Sequence, residues 1–375
     1  MGACSDVAYR CGDQLNVMTR LLAAKSLLFE PFNNSMSALP PRVMRPRTRL
    51  AVVGIAAAAL ATAAWVAQRA RRAEQANPPI GAFINVGGVR LHYLAVGEGT
   101  PIVLLHGNVL RLEDYVASGL IERLAERYRV IAFDRPGFGY SERPRDRLWT
   151  ARAQADVLER ALRHLRVEQP IVVGHSWGTL VALELACRES VGVRKLILMS
   201  GYYFPTPRID VALATPPAIP LVGDVMRYTV SAALARLLLG RTVKAMFAPQ
   251  QVPSDFLAIL GRDMLVRPNQ IRANSEDAAL MLPAAAALRQ QYGELNVSAL
   301  IIAGEADKVA DPNAHARRLH AELKDSQLVV LPGVGHMLHH AAQDLVSAAI
   351  ARCEMQTSQP QKQTERLASQ HEPSR

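Results

Sequence analysis

The sequence predicts an α/β fold: a mostly parallel central sheet with helices on both faces and a helical insertion late in the chain. Three observations carry that prediction. Short β-branched apolar runs alternate with helical stretches from about residue 82 to residue 351, the pattern of strands buried on both faces by helices. One such run, residues 171–173, passes through Gly174-His175-Ser176-Trp177-Gly178 straight into a mostly apolar helical stretch. A proline-rich segment after Gly201 interrupts the alternation, which resumes near residue 297.

The chain has 375 residues, half of them hydrophobic, enough for a large core. Its net charge is +10, but residues 42–74 hold seven arginines and one acid and supply +6 of it. Basic charge confined to one segment suits a membrane surface and argues against nucleic-acid binding by the whole chain. Cys4, Cys11, Cys187 and Cys353 have no metal-ligand spacing and give no disulfide framework. Cys187 is expected as a small core residue. No metal or organic cofactor is implied.

Residues 1–49 show no clear periodicity and are expected to be disordered, or to be an extension ahead of a start at Met44. Residues 50–67 form an 18-residue run without a charge, close to the roughly 17-residue minimum for crossing a bilayer. Arg45, Arg47 and Arg49 precede it, Arg69, Arg71 and Arg72 follow it, and Trp65 sits near one end, where an interfacial aromatic belongs. The expectation is a single-pass membrane anchor. The alternatives are a signal peptide cleaved at Ala61-Thr62-Ala63, leaving a secreted or periplasmic protein, and an alanine-rich soluble helix. Arginines on both flanks leave the orientation open. Residues 68–81, with Asn77-Pro78-Pro79, are expected as a linker.

The main domain is expected over residues 82–351. Residues 82–86 and 89–96 read as a β-hairpin around Gly87-Gly88. A buried strand at 102–105 ends in His106-Gly107-Asn108. A helix over about 112–127, a strand at 129–133 and a helix at 151–165 follow. After the strand and helix around Ser176 comes a strand at 195–199. Residues 202–295 hold Pro205, Pro207, Pro216, Pro217 and Pro220, with apolar helical stretches at 230–239 and 255–265. An insertion placed where strand ends open toward a ligand reads as a cap. A strand at 297–303, a helix at 314–323, a strand at 327–331 and a last helix at 338–351 complete the pattern. Residues 352–375, rich in Gln, Ser and charge, read as a disordered tail.

Gly174 and Gly178 stand two before and two after Ser176. A strand-to-helix turn that tight leaves almost no room for side chains there, and it exposes the serine Oγ on a strained backbone. The N–H groups of Ser176 and Trp177 lie at the helix start, where negative charge is favoured. Gly-x-Ser-x-Gly alone occurs in many loops; the strand before and the helix after make it specific.

The chain resembles the α/β-hydrolase superfamily. The resemblance rests on His106-Gly107, on Asp134-Arg135-Pro136-Gly137-Phe138-Gly139-Tyr140-Ser141, on Gly174-His175-Ser176-Trp177-Gly178, on Gly304-x-x-Asp307 and on Gly335-His336. It covers about residues 82–351 and identifies no substrate. It implies the α/β-hydrolase fold with a helical cap and a triad in the chain order Ser176, Asp307, His336. His336 matches the base that a serine hydroxyl needs, with His339 and His340 as rivals on the next helix. Asp307 matches the acid that orients the imidazole, with Asp311 as runner-up. His106 and His175 are expected to orient loops. The oxyanion hole would combine the N–H groups of Trp177 and Asn108. Val109 stands where the superfamily usually has proline. Asn108 and Trp177 also resemble the halide-holding pair of haloalkane dehalogenases, but those enzymes use an aspartate nucleophile, whereas Ser176 implies acyl transfer.

The leading expectation is therefore a membrane-anchored, carboxylesterase- or lipase-like serine hydrolase acting on an apolar, lipid-like small-molecule ester. Other activities of the same fold stay open: a cofactor-free haloperoxidase or perhydrolase, a carbon–carbon bond hydrolase, or an aminopeptidase that holds its amine with Asp255, Asp263, Glu276 and Asp277. A non-catalytic ligand-binding module is the reading from a different class.

Overall fold

The computed structural model describes residues 46–357. The expectations for residues 1–45 and 358–375 lie outside the described residues.

Helix Pro46–Ala76 contains the apolar run. Its segment Leu50–Ala76 is long and apolar enough to cross a membrane, and 6% of the apolar window is buried, whereas a core helix of a soluble protein would be mostly buried. The linker expected at 68–81 is shorter than that. Residues 68–76 are all Ala, Arg, Gln or Glu, good helix formers, so the helix continues to Ala76. Pro78 then disfavours helical backbone at Asn77, and the Asn77 side chain closes the end by donating to the Ala73 carbonyl at 2.8 Å. The last turns of this helix pack on the domain: Arg69 pairs with Asp263 at 3.1 Å, Glu74 with Arg267 at 2.6 Å, and Val66 is buried beside Ala232 and Ile271.

Eight strands form one sheet: β1 (Ala82–Val86), β2 (Val89–Val96), β3 (Thr100–Leu105), β4 (Tyr128–Phe133), β5 (Ile171–His175), β6 (Lys195–Met199), β7 (Ala299–Gly304) and β8 (Ser326–Leu331). Their spatial order is β1-β2-β4-β3-β5-β6-β7-β8. The pairs β1/β2 and β2/β4 are antiparallel and the rest are parallel. Strand periodicity of two sorts the core. Val103, Leu105, Val172, Leu196, Leu198 and Ile301 enter one apolar cluster, and their neighbours Ile102, Leu104, Val173, Ile197, Met199 and Ile302 enter another on the opposite face. From β3 the chain steps outward to β4, then returns across β3 to β5. The order reverses there, and in open α/β sheets ligands bind at the strand ends beside such a point. Leu105 and Gly174 are register partners, so the loops after β3 and β5 emerge side by side.

Several boundaries differ from expectation. The helix expected at 112–127 is two, Glu113–Ala117 and Leu120–Ala125, because Gly119 between them is left-handed, at φ +68°. The helix at 230–239 runs on to Phe247, since nothing breaks it before Ala248-Pro249. The stretch at 255–265 keeps one helical turn, Phe256–Ile259. Residues 314–323 begin as a π-helical turn, Asn313–Arg317, before helix Arg318–Glu322. The final helices, Leu338–Ala341 and Gln343–Thr357, reach into the segment expected to be a disordered tail.

The insertion between β6 and β7 ends in helix Pro268–Arg289, and buried charge fastens that helix to the sheet. Arg135, just past β4, donates to Asp277 at 2.7 Å and to Gln154 at 3.0 Å. Arg143 donates to the other Asp277 oxygen at 3.0 Å and to Glu276 at 2.6 Å. Arg135 lies between the Phe138 and Trp177 rings, at 4.4 and 4.6 Å from their centroids. Burial lowers the Arg135 pKa, and Asp277 offsets part of that. Removing one partner of a buried pair strands the other charge, at a cost of about 3–5 kcal/mol. Arg135→Met is therefore expected to lose about 3 kcal/mol of stability, read as a drop in thermal or urea midpoint. A midpoint equal to that of the parent would contradict the clamp.

Candidate active site

The turn after β5 has the geometry its glycines require. Ser176 has φ +52°, a conformation costly for a residue with a Cβ and typical of functional sites. A Cβ on Gly174 would lie 2.7 Å from the Thr179 Cα, and one on Gly178 would lie 2.2 Å from the Leu105 carbonyl oxygen. β5 and the helix Gly178–Ala186 can meet at this angle only without those side chains.

The parallel sheet gathers three side chains at the C-terminal ends of its strands. Ser176 follows β5, Asp307 follows β7 and His336 follows β8. His336 Nδ1 lies 2.8 Å from Asp307 Oδ2, and its Nε2 lies 3.0 Å from Ser176 Oγ. The second Asp307 oxygen accepts from the Val309 and Ala310 N–H groups at 2.8 and 2.9 Å. Burial alone would raise the Asp307 pKa; the attraction of His336 and these hydrogen bonds outweigh it and hold the carboxyl below its ordinary value. An ionised Asp307 accepts a hydrogen bond from His336 Nδ1–H, which leaves the Nε2 lone pair toward the serine hydroxyl. Asp307 and His336 are buried, and Ser176 is partly exposed.

Beside Ser176 runs the loop after β3. A Cβ on Gly107 would be 3.1 Å from the Ser176 Cβ. Arg135 draws the His106 and Gly107 carbonyls toward itself at 2.8 and 3.1 Å, so the Asn108 N–H, trans to the Gly107 carbonyl, points away from Arg135. Neither the Asn108 nor the Trp177 N–H has a partner among the described residues. The Ser176 N–H, expected beside them, instead donates to the Met199 carbonyl at 2.9 Å. Val109 has φ +69°, a value closed to proline; its N–H donates to Asn274 Oδ1 at 2.8 Å. The Asn108 amide donates to the Asn274 carbonyl at 3.1 Å, and the Trp177 indole to the Asp277 carbonyl at 3.0 Å. Both side chains of the halide-like pair are thus tied to backbone of the helix Pro268–Arg289.

The rival residues have other partners. His339 and His340 each place Nε2 2.8 Å from a different oxygen of Asp114. Their ligand atoms lie within 4.8 Å of one another, a set that could hold a metal ion, but both Nε2 atoms are already paired with the Asp114 carboxylate. Asp311 caps the Asn313 and Ala314 N–H groups. Of the four acids considered for an amine site, Asp263 pairs with Arg69 and Arg236, and Glu276 and Asp277 pair with Arg143. Burial raises the Cys187 thiol to about 11, which keeps it protonated and unreactive.

Sequence reasoning did not assign the clamp roles of Arg135 and Asp277 or the cap of Asn274 on the loop after β3. Arg135 did carry a signal: it stands two residues past the buried end of β4, and a buried arginine must bring partners with it.

Comparison with known proteins places these observations in a family. The family model described as the alpha/beta hydrolase fold matches residues 100–342. Haloalkane dehalogenase 2 of Mycobacterium bovis is 27% identical over 273 residues, covering 70% of this chain and 90% of that protein. A 2-hydroxymuconate semialdehyde hydrolase of Pseudomonas putida is 32% identical over 238 residues, covering 58% of this chain and 85% of that protein. Among solved structures, a bacterial membrane phospholipase A aligns with a TM-score of 0.60 at 18% identity, over 84% of this chain and 98% of that one.

Two predictions follow from the geometry around the site. Gly178→Ala should cost about 3 kcal/mol or more, because backbone on both sides must shift; an unchanged unfolding midpoint would show that the turn has slack. The second concerns acid. His106 Nε2 accepts from the Arg135 N–H at 3.0 Å, and His315 Nδ1 accepts from the Tyr203 N–H at 3.1 Å, so both rings are held neutral. Burial lowers each pKa to about 4. Between pH 6.5 and 4 the unfolded chain binds protons that the fold refuses, so stability is full above about pH 6.5 and falls as pH drops. The loss should be on the order of 2 kcal/mol per histidine by pH 5. Unfolding midpoints that stay flat from pH 7.5 to 5 would contradict it.

Proposed function

The chain belongs to the alpha/beta hydrolase family, and on that premise we propose that it is a membrane-anchored serine hydrolase that cleaves carboxylic esters. The carrying observation is the contact line from Asp307 through His336 to Ser176, at 2.8 and 3.0 Å, with two unpartnered N–H groups beside it. In this reading Ser176 Oγ attacks the ester carbonyl while His336 Nε2 takes its proton. The Asn108 and Trp177 N–H groups receive the oxyanion. The alcohol leaves with the proton from His336, and a water activated by the same nitrogen then releases the acid from Ser176. Water is the only co-reactant these steps require.

Residues 202–295 act as the cap and residues 50–67 as the anchor. Leu110, two residues after Asn108, and Met337, next to His336, pack in one apolar cluster with Leu239, Val243, Phe247 and Phe256 of the insertion. An apolar wall against both loops supports an ester with an apolar acyl or alkyl group. A serine at the attacking position, and halide-type donors already engaged, speak against dehalogenation. The arginine partners of Asp263, Glu276 and Asp277 speak against an amine-binding site. A second reading, hydrolysis of a 2-hydroxymuconate semialdehyde-like substrate at the same three residues, is favoured by the relative at 32% identity.

The test is hydrolysis of aryl esters graded in acyl length, with a 2-hydroxymuconate semialdehyde in the same panel. Ser176→Ala should lower kcat about a million-fold, and Asp307→Asn about ten-thousand-fold, with substrate still bound. Ester turnover that survives Ser176→Ala would refute the mechanism. Turnover confined to the semialdehyde would select the second reading.

A further inference from the structure

The helix Val230–Phe247 is apolar on two faces. Its inner side carries Leu239, Val243 and Phe247 into the cluster that walls the candidate site. Its outer side presents Leu234, Leu237 and Leu238 to solvent. A surface helix of a soluble domain carries polar residues on that side. The segments just before it add Leu213, Leu221 and Val225, each more than 60% exposed.

This exposure is concentrated. Of the 21 large apolar side chains exposed among the described residues, 11 lie in residues 209–238 and 6 in residues 50–65. Soluble surfaces scatter such side chains singly, and a concentration of them marks an interaction surface. Position ties the two segments together. Val66, next to the end of the apolar run, is buried against Ala232 at the start of this helix. Arg69 and Arg236 share Asp263. With residues 50–67 read as the anchor, the end of the run lies at the membrane surface, and the start of this helix is packed beside that end. Further along the same helix Arg241 and Lys244 are exposed and form no ion pair among the described residues, as suits anionic headgroups.

We propose that the exposed apolar face of residues 209–238 lies in the interface of the bilayer that holds the anchor, and that an apolar ester reaches Ser176 from the lipid. The substrate half of this rests on the esterase reading, and the docking half on the anchor reading.

The docking test uses the full chain with phosphatidylglycerol–phosphatidylcholine vesicles whose acyl chains are brominated near the headgroup. Leu237→Trp puts an indole on the patch, and Glu168→Trp puts one in the exposed loop before β5, at the opposite end of the strands. Bromines should quench the added fluorescence at 237 more than twofold and leave that at 168 unchanged. Equal quenching at both positions, or none at 237, overturns the docking. A dimer in vesicle-free buffer that buries position 237, with no lipid quenching, assigns the face to a second copy and also overturns it.

The substrate test compares the parent with the triple variant Leu213→Glu, Leu221→Glu, Leu237→Glu. The variant should hydrolyse a vesicle-embedded long-chain ester at least tenfold more slowly, and a water-soluble short aryl ester at the parental rate. Parental rates on both esters overturn entry from lipid. If the parent hydrolyses neither ester, the esterase reading fails, and entry of an ester from lipid fails with it; quenching at position 237 still decides the docking.

Discussion

The buried guanidinium of Arg135 is the interaction on which the rest of this structure depends. It donates to two carbonyls of the loop after β3, to Gln154 of the helix Ala151–His164 and to Asp277 of the insertion, so three separate elements converge on one charge. A guanidinium has a rigid fork of donors, and each bond made here removes an option from a loop. By drawing the Gly107 carbonyl inward it turns the next N–H outward. Because Asp277 is also held by Arg143, the insertion cannot leave without exposing two cations and an anion to a low-dielectric interior. Stability of the insertion and geometry of the candidate site are therefore one problem.

The candidate site itself follows from strand direction. Parallel neighbours place all their C-terminal ends along one edge, and the order reversal beside β3 opens a gap there. The chain need only supply the right residue at the end of each strand. The strained turn at Ser176 adds what a flat sheet edge cannot: it lifts one side chain out of the layer. Its cost is met by the absence of two Cβ atoms and by helix packing behind it.

Histidine protonation separates structural from chemical roles. His106 and His315 accept N–H bonds from backbone and must stay neutral, which burial enforces. His175 donates Nε2 to the His336 carbonyl at 3.1 Å and so supports the loop that carries that ring. His339 and His340 are occupied by Asp114. Among these rings, only His336 has a carboxylate on one nitrogen and a hydroxyl on the other.

The sequence by itself determined the elements whose physics is local. Short β-branched apolar runs marked the core strands, the Gly-Gly turn marked the β1/β2 hairpin, and the two glycines around Ser176 announced the tight turn. Asp307 and His336 were singled out by the resemblance to the α/β-hydrolase superfamily, and the fold brings both to Ser176, at 2.8 and 3.0 Å along the line. Helix ends were read less well, since a single left-handed Gly119, or the lack of a breaker before Pro249, outweighs average propensity. Only the tertiary structure decided which acids and bases belong together. Asp277 looked like one acid of an open patch, yet it is neutralised by arginines more than a hundred residues away in sequence. His339 was three residues from His336 and meets Asp114 instead. Such pairings depend on strand order and on what each side chain meets when water is removed. Local periodicity carries no record of either.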